Sequence, residues 1–213
     1  MSTAIVLGAT ELIGRNLINE LIHEERVEKI IAITRRPVKY ESTKVVNQVI
    51  DFDHIEDKKD AFIGDLMFSC LGTTKKQAGS IEAQRKVDLE YQFKAAKISC
   101  ENKVPHYLLV SSSGADENSS SQYLKMKGEL ETKVMALSFE RISIFQPSIL
   151  IGNRDEFRLG EYLAGVLLPT LCLLPFLKPY RPIDGKTVAK KMVEVSSKPG
   201  NQKETYSLDE LFS

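Results

Sequence analysis

The chain reads as a doubly wound α/β protein, a parallel sheet with helices on both faces, and three observations predict it. Short runs rich in Val, Ile and Leu alternate with helix-patterned stretches from residue 3 to residue 150. Those runs are apolar throughout instead of at every second position. This marks strands buried on both faces, because right-handed crossovers lay helices over each side of a parallel sheet. The first run passes through a bend bearing Gly8 and Gly14 straight into an amphipathic stretch, an arrangement that presents free backbone N–H groups to a phosphate.

Taken in order, residues 3–9 give the first strand, and 12–24 a helix whose Leu17, Ile18, Leu21 and Ile22 share one stripe. Strands follow at 29–35 (KIIAITR), 45–52 and 66–73 (LMFSCLGT). A long polar-faced helix covers 79–102, a fifth strand 106–113 (HYLLVSSS), a helix 123–137 and a sixth strand 141–150 (RISIFQPSIL). The polar stretch 116–122 is too short for a linker and reads as a loop capping the helix after it. Beyond 150 the alternation fades into a small, mostly helical cover, with a last helix starting at Asp184 or Gly185 and an edge strand at 204–208. The expectation is one domain over 1–213, with a core at 1–150 and a substrate-side cover at 151–213. Ligands of such sheets bind beyond the carboxyl ends of the strands, where a cover would close over them.

Apolar residues at 42% and charged ones at 27% mark a soluble globular protein. Lysine plus arginine and aspartate plus glutamate both number 29, so no net positive field exists to hold nucleic acid or an anionic membrane. Met1 to Ala4 lead at once into a strand without a basic or apolar leader, from which a cytoplasmic location is expected. Cys70, Cys100 and Cys172 stand in no metal-like spacing and His23, His54 and His106 are scattered, so no metal is expected. The apolar segment 164–177 (AGVLLPTLCLLPFL) is too short to span a bilayer and is interrupted by Pro169 and Pro175. It allows a packed helix and turn, a pocket wall for an apolar small-molecule substrate, or an interface with a second copy or a protein partner.

Three strand ends carry chemistry. The second strand ends Thr34-Arg35-Arg36-Pro37, with no acid to accept a ribose hydroxyl. Two guanidinium groups there suit a 2′-phosphate, which Arg binds by charge-assisted, often bidentate bonds; read alone, they are equally two solvated arginines. The fourth strand ends Cys70-Leu71-Gly72, where a glycine lets the chain pass close to a ligand or simply turn. Tyr123 and Lys127 are i and i+4 on one helical face, where an ammonium helps a phenol trade a proton with a carbonyl or alcohol. That spacing is common by chance and gains weight from Ser111-Ser112-Ser113 at the end of the fifth strand. Ser111, or else Ser112, is placed to hydrogen-bond a substrate oxygen as charge develops, while the plain reading is a serine cluster satisfying backbone groups.

With these pieces in this order, the sequence resembles the short-chain dehydrogenase/reductase superfamily, in the atypical NADPH-binding branch similar to the HIV Tat-interacting protein. The glycine bend, TRRP, Asp51-Phe52, CLGTT, SSSGAD, YLKMKGELE, FQPSIL and NRDEFRLGEYL carry the resemblance over nearly the whole chain. It implies a Rossmann-type NAD(P)-binding fold, NADPH as cofactor, Tyr123 as acid/base residue, and Lys127 tuning it and holding the nicotinamide ribose. Gly8, Thr10, Glu11, Leu12, Ile13 and Gly14 would lie along the pyrophosphate, and Arg35 and Arg36 at the 2′-phosphate. Leu71 and Gly72 would lie over the adenosine, Leu150 beside the nicotinamide, and Arg158 would reach cofactor or substrate from the cover. The family's bend has a glycine where this chain has Glu11, and a carboxylate aimed inward would repel a diphosphate. The expectation is an outward Glu11 that complements the helix N-terminus. The implied activity is carbonyl reduction or alcohol oxidation, with a nucleotide-sensing or partner-binding role of little turnover as the alternative.

Overall fold

A computed structural model describes residues 1–151 and 181–212. The elements are β1 (Ser2–Leu7), α1 (Leu12–His23), β2 (Val27–Thr34), β3 (Val45–Val49) and a 3-10 segment at Phe52–Phe62. Next come β4 (Leu66–Ser69), α2 (Lys75–Ala78), α3 (Ile81–Arg85), a π-helical turn at Lys86–Tyr91 and α4 (Gln92–Glu101). These are followed by β5 (His106–Val110), α5 (Gln122–Met135), β6 (Arg141–Gln146) and β7 (Leu150–Ile151). After residue 181 lie β8 (Ile183–Asp184), α6 (Gly185–Ser197), β9 (Lys203–Ser207) and a last 3-10 turn at Leu208–Leu211.

Seven strands form one sheet in the order β3-β2-β1-β4-β5-β6-β9, and every pairing is parallel. This is the Rossmann-type doubly wound fold. Because side chains alternate across a strand, successive residues feed opposite cores. Ala4 and Val6 of β1 face the layer of α1 and α6, with Leu17, Leu21, Val188 and Met192. Ile5 and Leu7 face the other layer, with Phe52, Phe62, Ala95, Ile98, Leu130 and Val134. Both faces are dry, which is why the strands read as continuous apolar runs.

The sequence-expected strands run past the real ones at their carboxyl ends. Residues 8–9, 70–73 and 111–113 lie past the ends of the regular strands; 70–73 and 111–113 line a cleft, with Cys70 and Ser111 still donating their N–H groups to the Leu7 and Phe145 carbonyls. The stretch expected as one helix over 79–102 is broken. Thr74 caps α2 through the Gln77 N–H, Gly79 ends it at φ +88, and Ser80 caps α3 through the Ala83 N–H. The π turn then intervenes before α4. The last helix starts at Gly185 with Asp184 as its cap, the aspartate accepting from the Thr187 N–H. It covers the sheet beside α1, and β9 adds a parallel edge strand to the main sheet.

Candidate functional site

The carboxyl ends of β1, β4, β5 and β6 surround a cleft of about 880 Å3, at the point where the strand order reverses between β1 and β4. Gly8 leaves β1 at φ +78, and a Cβ on it would stand 2.6 Å from the Leu71 nitrogen. A Cβ on Gly14 would stand 2.1 Å from the Gly8 carbonyl oxygen. Both glycines are therefore required by contacts within the protein: they let the exits of β1 and β4 touch and seat α1 on the bend.

Glu11 is the residue before α1, with φ −74 and ψ 165, a conformation open to any L residue. Its side chain makes no capping hydrogen bond, so the first turn of α1, where Leu12 and Ile13 line the cleft, keeps its N–H groups free of a side-chain cap. Glu11 is half-buried and is one of the residues lining the cleft, and the side-chain cap that would complement the helix N-terminus by a hydrogen bond is not made. Its charge reaches Cys70: burial, and then Glu11, push that thiol far up, with Lys127 opposing. Thr10 is exposed beside the bend.

The wall after β4 is clamped from below. Thr73 donates its N–H to Asp88 Oδ2 at 3.1 Å, and its carbonyl accepts from Gln84 Nε2 at 3.3 Å. Leu71 and Gly72 line the cleft, and a Cβ on Gly72 would lie 3.4 Å from Asp88 Oδ1. Opposite stands α5, seated under the 114–117 turn by Gly128, where a Cβ would lie 2.2 Å from the Glu117 nitrogen. This places Tyr123, 38% exposed, and Lys127, 3% exposed, on the same cleft, with Lys127 Nζ 6.0 Å from the centre of the Tyr123 ring. Lys127 Nζ also lies 3.3 Å from Asp88 Oδ1. Burial works against the ammonium, but Asp88, and after it Tyr123 and Glu131, outweigh burial and hold Lys127 above its ordinary value.

Ser111 and Ser112 both line the cleft. The Ser111 hydroxyl is buried without a hydrogen bond of good geometry to any of the described residues, although it lies near enough to Glu131 to favour that carboxylate's charge. Burial raises Glu131 all the same, against Ser111, Lys127 and the Gln146 amide, which donates to both carboxylate oxygens at 3.0 and 3.1 Å. Ser112 is half-buried, with its hydroxyl turned to the Ser113 carbonyl at 3.4 Å. Leu150 closes the cleft beyond β6.

The structure thus brings together Glu11, Leu12, Ile13, Leu71, Gly72, Ser111, Ser112, Tyr123, Lys127 and Leu150. Arg35 and Arg36 it leaves apart: they are exposed past the end of β2, one strand over from the cleft, with no side-chain partner among the described residues. Arg158 and the segment 164–177 lie outside the described residues. Asp88, Gln84 and Glu131 were not anticipated from the sequence. The signal for the first two was the spacing Gln84, Asp88, Gln92, a polar stripe at intervals of four whose members are all buried.

The fit of a dinucleotide rests on this chain's own features: an uncapped helix start, an orphaned Ser111 hydroxyl and a buried ammonium on one cavity. No family profile matches the chain. Protein HTATIP2 of Rattus norvegicus is 38% identical over 166 residues, covering 76% of this chain and 68% of the relative. Protein FMP52, mitochondrial, of Coccidioides immitis is 32% identical over 213 residues, covering 91% and 85%. Among solved structures, MoeE5 in complex with UDP-glucuronic acid and NAD superposes with a TM-score of 0.72 at 13% identity, over 97% of this chain and 76% of that one. A short-chain dehydrogenase/reductase superfamily protein from Agrobacterium tumefaciens with bound NAD gives 0.72 at 14% identity, over 97% and 77%. At that identity the likeness shows the fold.

One expectation is overturned. The cytoplasmic location read from the first residues does not stand, because FMP52 relatives from Candida glabrata, Coccidioides immitis and Emericella nidulans are mitochondrial by name. No helix among the described residues is long and apolar enough to cross a membrane.

Proposed function

The chain belongs to the family of protein HTATIP2 and the FMP52 proteins, and we propose that it acts there as an NADPH-dependent oxidoreductase, reducing a carbonyl or oxidising the matching alcohol. The observation that carries this reading is that a phenol with a buried ammonium beside it and an uncapped helix start share one cleft. The first supplies proton handling and the second an anion site.

In this reading the bend from Gly8 through Thr10 and Glu11 to Gly14 carries the diphosphate, chiefly on the N–H groups of Leu12 and Ile13. Leu71 and Gly72 lie over the adenosine, and Arg35 and Arg36 swing toward a 2′-phosphate. Lys127 holds the nicotinamide ribose, with Leu150 and, from the cover, Arg158 completing the site. When bound, the nicotinamide supplies or accepts a hydride. Tyr123 gives the substrate oxygen a proton or takes one from it at its hydroxyl, and the Lys127 ammonium stabilises the phenolate formed. Ser111 or Ser112 donates a hydrogen bond to that oxygen as charge grows on it. Pro147, Ile149 and Leu150 make the substrate side of the cleft apolar, which favours an apolar carbonyl.

A second reading, nucleotide sensing with little turnover, draws on Glu11, a carboxylate on the rim where a diphosphate would lie. The experiment that separates them titrates NADPH and NADH by nicotinamide fluorescence on the wild type and on Tyr123→Phe, then screens apolar carbonyls. Selective NADPH binding by both proteins with turnover by the wild type alone supports the oxidoreductase. Binding without turnover by either supports the sensor, and binding of neither nucleotide rules out both.

A further inference from the structure

We propose that Glu131 is a positioning residue for Ser111: it decides whether the Ser111 hydroxyl gives its proton to a ligand in the cleft or turns it away. The inference rests on the oxidoreductase reading for its use, where it selects Ser111 over Ser112, and on the nucleotide-free geometry for its substance.

Ser111 is 4% exposed and lines the cleft, whereas Glu131 does not. The carboxylate therefore stands behind the serine and acts on a ligand only through it. The sheet fixes the serine. One step past the paired Val110 and Phe145, Ser111 comes beside Gln146, with its N–H donated to the Phe145 carbonyl at 2.7 Å. Two residues on, the Ser113 N–H donates to the Pro147 carbonyl at 2.9 Å, so the whole stretch is pinned along β6. Glu131 arrives from α5, four residues past Lys127 and eight past Tyr123 on the same face. The Gln146 amide holds both of its oxygens. With backbone and carboxylate fixed, what is left to move is the hydroxyl proton.

That hydroxyl makes no hydrogen bond of good geometry among the described residues, so it stands uncommitted between carboxylate and cleft. A hydroxyl has one proton to give, and an ionised carboxylate can only accept. While Glu131 is charged it draws the Ser111 proton, and the serine oxygen shows its lone pairs to the cleft, as suits the hydroxyl of an alcohol. Once Glu131 binds a proton it becomes the donor, and Ser111 turns its own proton outward, as a carbonyl requires. The groups facing Glu131 among the described residues are Ser111 from the end of β5, Gln146 from β6 and Lys127 from its own helix. All three favour the charge, but burial opposes it and prevails, so the exchange falls at a higher pH than for an exposed glutamate. Ser112, by contrast, directs its hydroxyl to the Ser113 carbonyl.

The test follows the Glu131 side-chain carboxyl resonance against pH in the nucleotide-free protein, the signal being assigned by its loss in Glu131→Gln. Ser111→Ala removes the donor, and Ser112→Ala is the control. The expected result is a rise of about tenfold in the proton affinity of Glu131 in Ser111→Ala, the effect of deleting one hydrogen bond to a charged group. Ser112→Ala should leave the midpoint in place. An unchanged midpoint in Ser111→Ala, or an equal rise in Ser112→Ala, overturns the proposal, whatever happens to activity. Should Ser111→Ala fail to fold, Ser111→Cys, which keeps the shape and weakens the donor, decides by a rise of the same sign or none. A parallel NADPH titration keeps the two readings apart: a wild type that binds no nucleotide removes the oxidoreductase reading and leaves the Glu131 result standing.

Discussion

His106 Nε2 lies 2.9 Å from the Ser143 hydroxyl, which donates at 2.8 Å to Glu204, at the end of the sheet opposite the cleft. With its proton given to Glu204, Ser143 accepts from a neutral His106. Arg141 completes the cluster by donating to Glu204 and to the carbonyls of Val195 and Lys198. Burial first, then Arg141 and Arg26, against Glu204, push His106 down to about 4 from 6.5. The unfolded chain thus binds a proton that the folded one refuses. Stability is whole above about 6.5 and declines as pH falls toward 4, by roughly 3 kcal/mol in the limit. Thermal unfolding across that window should show the slope, and His106→Gln should flatten it. Equal slopes in both proteins mean that another group is responsible.

The approach of Gly14 to Gly8 makes a second expectation. Gly14→Ala would set a methyl against a backbone oxygen that has no room to yield, so α1 must lift from the bend. A loss of about 1–3 kcal/mol or more is expected, with nucleotide affinity falling in step. A wild-type melting temperature would mean that α1 shifts freely.

Arg35→Ala with Arg36→Ala should lower the ratio of NADPH to NADH affinity by about tenfold, the scale of lost charge-assisted bonds. Both side chains are exposed, so the effect should shrink with added salt. A constant ratio of dissociation constants would show that these arginines do not read the phosphate.

Glu11→Gly should tighten NADPH binding about threefold to tenfold at low salt, since a carboxylate on the rim repels the diphosphate at short range. The backbone at position 11 does not require glycine, so the gain should come from charge, and Glu11→Gln should reproduce most of it. Weaker binding in both variants would assign Glu11 a favourable contact in the complex.

The sheet was legible in the sequence because both its faces are apolar, a signal that needs no tertiary knowledge. The bend at Gly8 and the i, i+4 pairing of Tyr123 with Lys127 were legible for similar reasons: each is a local pattern. Asp88 was not. In a stretch read as one polar-faced helix over 79–102, an aspartate belongs on the solvent side, and only the π turn brings it under the bend. Glu131 was hidden differently, being one more step along the Tyr123 and Lys127 face and indistinguishable from a solvated glutamate until β6 supplies Gln146. That Glu11 makes no side-chain cap was not legible either, because the residue before a helix is read as a capping position from its place in the sequence alone.

The pairing of β7 with β8 joins Leu150 to Ile183 and Ile151 to Asp184, and the Ser148 hydroxyl donates to the Arg181 carbonyl beside it. This two-stranded ladder, separate from the main sheet, puts Leu150 on the wall of the cleft one position from the partner of Asp184, the residue that caps α6. The rim of the cleft and the start of the helix that packs beside α1 are thus a single mechanical unit, and a change at either end is felt at the other.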